Sequence, residues 1–183
     1  MNRLKTKKLV LSAMFLAVCL LLPFLTGQMQ QFGNMLLPMH LPVLLCGFIC
    51  GWPWGLAVGF AAPLLRSALF GMPVMFPAAL SMAFELGTYG LATGLLYNCL
   101  PKHRFSIFIA LISAMICGRV VWGIVRIFIS FSQTETFTWA MFVSGAVTTA
   151  VPGIVIQLIF VPLIIYALTK NGHIPLKSES DRN

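Results

Sequence analysis

Acidic residues are almost missing from this chain. Only four of its 183 residues are Asp or Glu, against 12 Lys and Arg, and charged residues of all kinds make up 9%. A soluble domain carries about a quarter charged residues, so a soluble globular fold is excluded. One carboxylate, Glu85, lies inside an apolar run with no second carboxylate near it, which leaves no acid–base pair for hydrolysis. A phosphate-cradling G-x-x-x-x-G-K-[ST] loop, a serine elbow and a His-rich metal set are missing as well. The expectation is a non-enzyme without cofactor, in which any energy from ATP must enter through another subunit.

A C-x-x-C motif is missing too: the five cysteines are Cys19, Cys46, Cys50, Cys99 and Cys117. Cys46 and Cys50 share a helix face, but two thiols without His or carboxylate neighbours make a poor metal site. They read as packing residues.

What is present is hydrophobic: 59% of the residues, in runs of about twenty that recur from end to end. Each run is long enough to cross a hydrocarbon core of about 30 Å. The fold class expected is therefore an all-α integral membrane protein. Helices are placed near Lys8–Leu25, Leu36–Gly51, Trp54–Phe70, Val74–Leu100, Phe105–Phe131 and Trp139–Thr169, six spans in one domain over 1–170, with 171–183 a flexible polar tail. The breaks carry turn chemistry, "TGQMQQFGN", "GWPWG", "FGMPVMFP", "LPKHR" and "SQTETFT". The second and third segments are short and also compatible with a re-entrant pair. The basic start before the first run resembles a signal peptide, but without an A-x-A-like site the reading is a retained helix.

Nine of the 12 basic residues lie in three places: Arg3, Lys5, Lys7 and Lys8; Lys102 and Arg104; Lys170, Lys177 and Arg182. With six spans all three clusters fall on one side, and the opposite loops hold no Lys or Arg. The positive-inside rule then puts both termini in the cytoplasm. The surplus of positive charge reports topology and gives no ground for a nucleic-acid partner.

The remaining three cations, Arg66, Arg119 and Arg126, sit inside apolar runs with Glu85. An ionised side chain at mid-bilayer costs at least about 2.5–3.5 kcal/mol, so these groups should face the bundle interior. Ser81, Glu85, Thr88 and Tyr89 share one helix face, and Arg119, Trp122, Arg126 and Ser130 share another. Gln157 falls near the middle of the last helix. One reading is structural, with Glu85 paired to an arginine as glue and Arg66 and Arg126 snorkelling to headgroups. The other is a pocket, open to the outside, for an anion. In it Arg119 and Arg126 grip a carboxylate, Arg66 closes over it, and Glu85 holds a guanidinium or accepts from a hydroxyl. Trp122, Tyr89 and Trp139 pack on the ligand's apolar part.

The first external loop adds Gln28, Gln31 and Asn34, with Asn34 a ligand candidate. His40 is expected at the outer surface, more a surface or satisfied histidine than a ligand contact. Gly27 and Gly33 suit a loop that moves as a lid. Small residues four apart, Ala13/Ala17, Gly55/Gly59 and Gly90/Gly94, mark close helix contacts.

Taken together, the six helices, the termini on one side and the pair in "SAMFLAV" resemble the substrate-binding S components of energy-coupling factor (ECF) vitamin transporters. The resemblance covers nearly the whole chain. The blocks "NMLLPMHLPVLLCGFICG" and "PLLRSALFGMPVMFPAALSMAFELGTYG" resemble the pantothenate-type branch or a related one. The resemblance implies that Ala13 and Ala17 pack against a transmembrane scaffold subunit, which works with two ATPase subunits. It also implies that the S component binds a vitamin from outside and topples to release it inside. The arginine excess favours an anionic ligand such as pantothenate or niacin over neutral pyridoxine or a benzimidazole. A stand-alone proton-coupled carrier using Glu85 is the competing reading.

Overall fold

The computed structural model of the chain describes residues 3–25, 36–101, 104–131, 138–145 and 149–170. Among them the fold is helical throughout: α1 Arg3–Leu25, α2 His40–Cys50, α3 Trp52–Phe70, α4 Leu80–Cys99, α5 Arg104–Ser130, α6 Trp139–Val143 and α7 Val151–Lys170. A π-helical turn, Met75–Ala79, leads into α4. Among the described residues, four stretches have the length and hydropathy to cross a membrane: Arg3–Phe24, Trp52–Phe70, Phe105–Ser130 and Val151–Lys170. The chain is a multi-pass membrane protein.

α2 and α4 fall outside that set for different reasons. α2 has 11 residues, or about 16 Å at the helical rise per residue, roughly half of a hydrocarbon core. α4 has 20 residues and is long enough. It is the central helix, packed against α2, α3 and α5, so protein covers what lipid would otherwise touch. A helix surrounded in this way can carry Ser81, Glu85, Tyr89 and Thr93, all buried, because neighbouring helices rather than hydrocarbon meet them.

Glycine makes the central packing possible. Gly55 of α3 and Gly90 of α4 face each other so closely that a Cβ on Gly55 would lie 2.6 Å from the Gly90 carbonyl oxygen. Gly59 lies against the Leu86 carbonyl, and Gly94 against Trp52, which fixes α3 and α4 as antiparallel. Such backbone-to-backbone approach is what small residues permit in membrane bundles. Gly51 is the whole connection between α2 and α3. Its φ of 95° and ψ of 171° lie in a region that only glycine enters readily.

Cross-helix contacts set the remaining directions. Cys46 lies near Ser12, and Cys19 donates to the Met39 carbonyl, so α1 and α2 are antiparallel. The Phe24 and Phe70 rings meet edge to face at 4.9 Å, which brings the C-terminal ends of α1 and α3 together. Cys46, Cys50 and Cys19 are buried in the apolar core beside Val43, Leu44, Leu86 and Leu111.

Two expected helices differ from what forms. The stretch from Val74 is not one helix. Phe76 is extended at φ −125° and ψ 128°, and the α-helix proper begins at Leu80. The residue before a proline is pushed out of the α region, and Pro77 follows Phe76. The expected helix Trp139–Thr169 is two pieces, α6 and α7. Pro152 sits in the first turn of α7, where a missing N–H does no harm, so the sequence there favours a helix start over a continuation. The expected loop residues Gln28, Gln31, Asn34, Gly27, Gly33, Lys102 and Glu135, and the tail from Asn171, lie outside the described residues.

Candidate functional site

α4 brings Glu85 and Tyr89 to the same face by their four-residue spacing, and α5 turns Arg119 towards them. The Arg119 Nη1 atom is 3.0 Å from Glu85 Oε1. Gly118 makes the approach possible, since a side chain at that position would run into the Tyr89 ring. The Tyr89 hydroxyl is close enough to interact with both the Glu85 carboxylate and the Arg119 guanidinium.

A fourth member arrives from α2. His40 Nε2 lies 3.5 Å from Glu85 Oε1, and its ring meets the Tyr89 ring edge to face at 5.3 Å. Glu85 is 2% exposed, His40 1% and Arg119 12%. The expectation for His40 is therefore corrected: it is buried at the ionic cluster rather than displayed on a surface loop. The signal was in "MHLP", because Pro42 belongs in the first turn of a helix. That makes His40 the first residue of α2, on the face packed against α4.

The cluster is incompletely satisfied. Among the described residues, Arg119 Nε and Nη2, His40 Nδ1, and both amide atoms of Gln157 are buried without a hydrogen-bond partner. Buried polar groups are nearly always paired, so a concentration of unpaired ones asks for an explanation. Gln157 lies on the face of α7 that also carries the core residues Val161 and Ile165. α7 packs against α2 and α5, which carry His40 and Arg119.

Arg66 is not part of this group. It is buried, but its Nη1 donates to the Leu20 carbonyl of α1 at 2.5 Å. The rings of Phe24 and Phe70 flank its guanidinium at 4.9 and 5.4 Å. Arg66 therefore ties α3 to α1, a role apart from the expected closing over a ligand held by Arg119.

Trp122 and Arg126, one and two turns beyond Arg119 on α5, are half-buried. The Trp122 ring packs towards Phe142 at 6.1 Å, and Trp139 stacks on Phe142 at 5.3 Å. Trp122 and Trp139 thus belong to an aromatic group that fastens the short α6 to α5. Asn34 lies outside the described residues. On α1, Ala13 and Ala17 are both exposed, in line with the exposed Val10, Met14, Val18 and Leu21, so among the described residues this pair faces outward. Gly55/Gly59 and Gly90/Gly94 do the reverse and are consumed by α3–α4 packing.

The fold and the site together define a helical membrane protein with a buried ionic cluster in its interior. Residues 7–165 match the family model described as ECF transporter, substrate-specific component, and the chain belongs to that family. Components of this kind bind small-molecule substrates and work with a membrane scaffold and an ATPase module. The family is one of transporter components, not of enzymes. No curated protein and no solved structure matched the chain.

Proposed function

We propose that this protein captures a small anionic vitamin or vitamin precursor at the outer face of a bacterial cell membrane, for import driven by ATP elsewhere in the complex. Pantothenate is the leading candidate. Niacin follows, and neutral pyridoxine-type or benzimidazole-type precursors fit less well. The observation that carries the reading is the buried set of Glu85, His40, Tyr89 and Arg119 with its unpartnered polar atoms. Intramembrane ionisable groups are functional by default. Trp122, Arg126, Asn34 and Gln157 complete the proposed substrate contacts.

In this reading the chain crosses the membrane six times with both termini in the cytoplasm. The clustering of nine basic residues at the two termini and one short loop supports that orientation. Ala13 and Ala17 form the contact with the transmembrane scaffold. Their exposure on a smooth strip of α1 suits a close helix–helix approach. Substrate release follows when the whole protein topples against that scaffold as two ATPase subunits cycle.

The pairing of Glu85 with His40 at 3.5 Å favours one second reading, a stand-alone carrier that moves protons through Glu85. Uptake into proteoliposomes separates the two. The capture component transports only when scaffold and ATPases are reconstituted with it, and Ala13→Trp abolishes their co-purification. Undiminished uptake by the protein alone, driven by a proton gradient, sinks the first reading.

A further inference from the structure

The small-anion reading leaves open which group holds the charge, and Arg119 offers an answer. A planar guanidinium has two usable edges. The Nη1 side of Arg119 faces Glu85 at 3.0 Å. Nη1 is the nitrogen on the same side as Cδ, so Nε–H and one N–H of Nη2 point together in the other direction. That side-on edge is the fork that matches two oxygens of a planar acid. Both of its nitrogens are buried, and neither has a partner among the described residues.

We propose that the Nε/Nη2 edge of Arg119 anchors a planar carboxylate of the substrate, with Glu85 as the positioning residue that holds the guanidinium at Nη1. This rests on the small-anion reading and narrows it. An internal ion pair would be self-sufficient if the carboxylate took the fork. Here Glu85 meets Nη1 and, among the described residues, nothing pairs with the two-pronged Nε/Nη2 edge.

The same arrangement sets an upper limit on substrate charge. Glu85 already places one negative charge beside the guanidinium, so a second monoanion shares a cation that is partly neutralised. A dianionic phosphate would meet the Glu85 charge at short range in a site with little water to screen it, and is disfavoured. Arg66, the cation that sequence alone would recruit to help, is committed to the Leu20 carbonyl. The substrate class is therefore a monocarboxylate, not a phosphorylated vitamin. Among the described residues, Gln157 on α7 brings a donor and an acceptor without a partner, and His40 Nδ1 is likewise unpartnered. Hydroxyl or amide groups on the same substrate would satisfy these.

Equilibrium binding to the detergent-purified full chain tests this. The probes are vitamin-sized carboxylates, pantothenate and nicotinate among them, each set against its uncharged alcohol or amide and, where one exists, its phosphorylated form. Wild-type protein is expected to bind at least one acid on the order of 30-fold or more tightly than its uncharged partner, and to reject the phosphate. Arg119→Lys keeps the charge but lacks the fork, and is expected to lose most of that preference. Should Arg119→Lys fail to fold, the wild-type comparison decides alone. Equal affinity of wild type for acid and uncharged partner, a preference for the phosphate, or a folded Arg119→Lys that keeps the full preference overturns the Arg119 assignment and leaves substrate capture standing. Binding of neither acids nor uncharged partners sinks the small-anion reading itself.

Discussion

Replacing Glu85 by Gln keeps the side chain's shape and removes its charge, which isolates what the ionic cluster contributes to the fold. At 3.0 Å from Arg119, and with an effective dielectric of about 20, the attraction is 332/(20 × 3.0), or about 5.5 kcal/mol. Desolvation of two groups that are 2% and 12% exposed offsets part of it, so the pair's net contribution is smaller than that figure. The single variant also leaves the Arg119 charge buried without its counter-charge, for which about 3–5 kcal/mol of destabilisation is expected. The double variant Glu85→Gln/Arg119→Gln removes both charges and should lose less than the sum of the two single changes. Unfolding of the purified protein by increasing SDS in mixed micelles, followed by loss of helical signal, reads these differences. A Glu85→Gln protein within about 0.5 kcal/mol of wild type, the range of an inert surface change, would refute the claim that this cluster is energetically coupled.

Three further outcomes follow from the packing. Arg66→Gln removes a charged donor from the Leu20 carbonyl and should lower stability by about 1.5–3 kcal/mol while leaving substrate affinity unchanged, which combined unfolding and binding titrations check. Gly90→Ala forces α3 and α4 apart at the Gly55 contact and should cost about 1–3 kcal/mol, read as a lower melting temperature in detergent. Arg126→Ala should weaken substrate binding well beyond Lys177→Ala in a parallel titration; equal, small effects would remove Arg126 from the site.

Much of this architecture was legible in the sequence. The apolar runs gave a membrane bundle, and helical spacing put Glu85 beside Tyr89 and Arg119 in line with Trp122 and Arg126. The need to hide charge from lipid left two readings of Glu85, and its contact with Arg119 at 3.0 Å is common to both. Spacing says nothing about which helices become neighbours, however. Arg66 looked like a third member of one cationic set, yet a carbonyl near Pro23 and two phenylalanine rings hold it at the α1–α3 contact. His40 was discounted because a lone histidine after a loop is common; the proline two residues on marked a helix start that places it against α4. The glycine pairs were ambiguous for the same reason. Gly55 and Gly90 pack inside the bundle while Ala13 and Ala17 face outward, and only the three-dimensional arrangement separates the two uses.

The central claim is that the interior of this bundle holds a small carboxylate. Native mass spectrometry of the protein released from detergent, after exposure to a cell extract of small metabolites, measures this without naming the vitamin beforehand. A one-to-one adduct whose mass and fragmentation identify a monocarboxylate is the predicted result. An adduct that proves to be a cation, a phosphate ester or a wholly uncharged compound would contradict it.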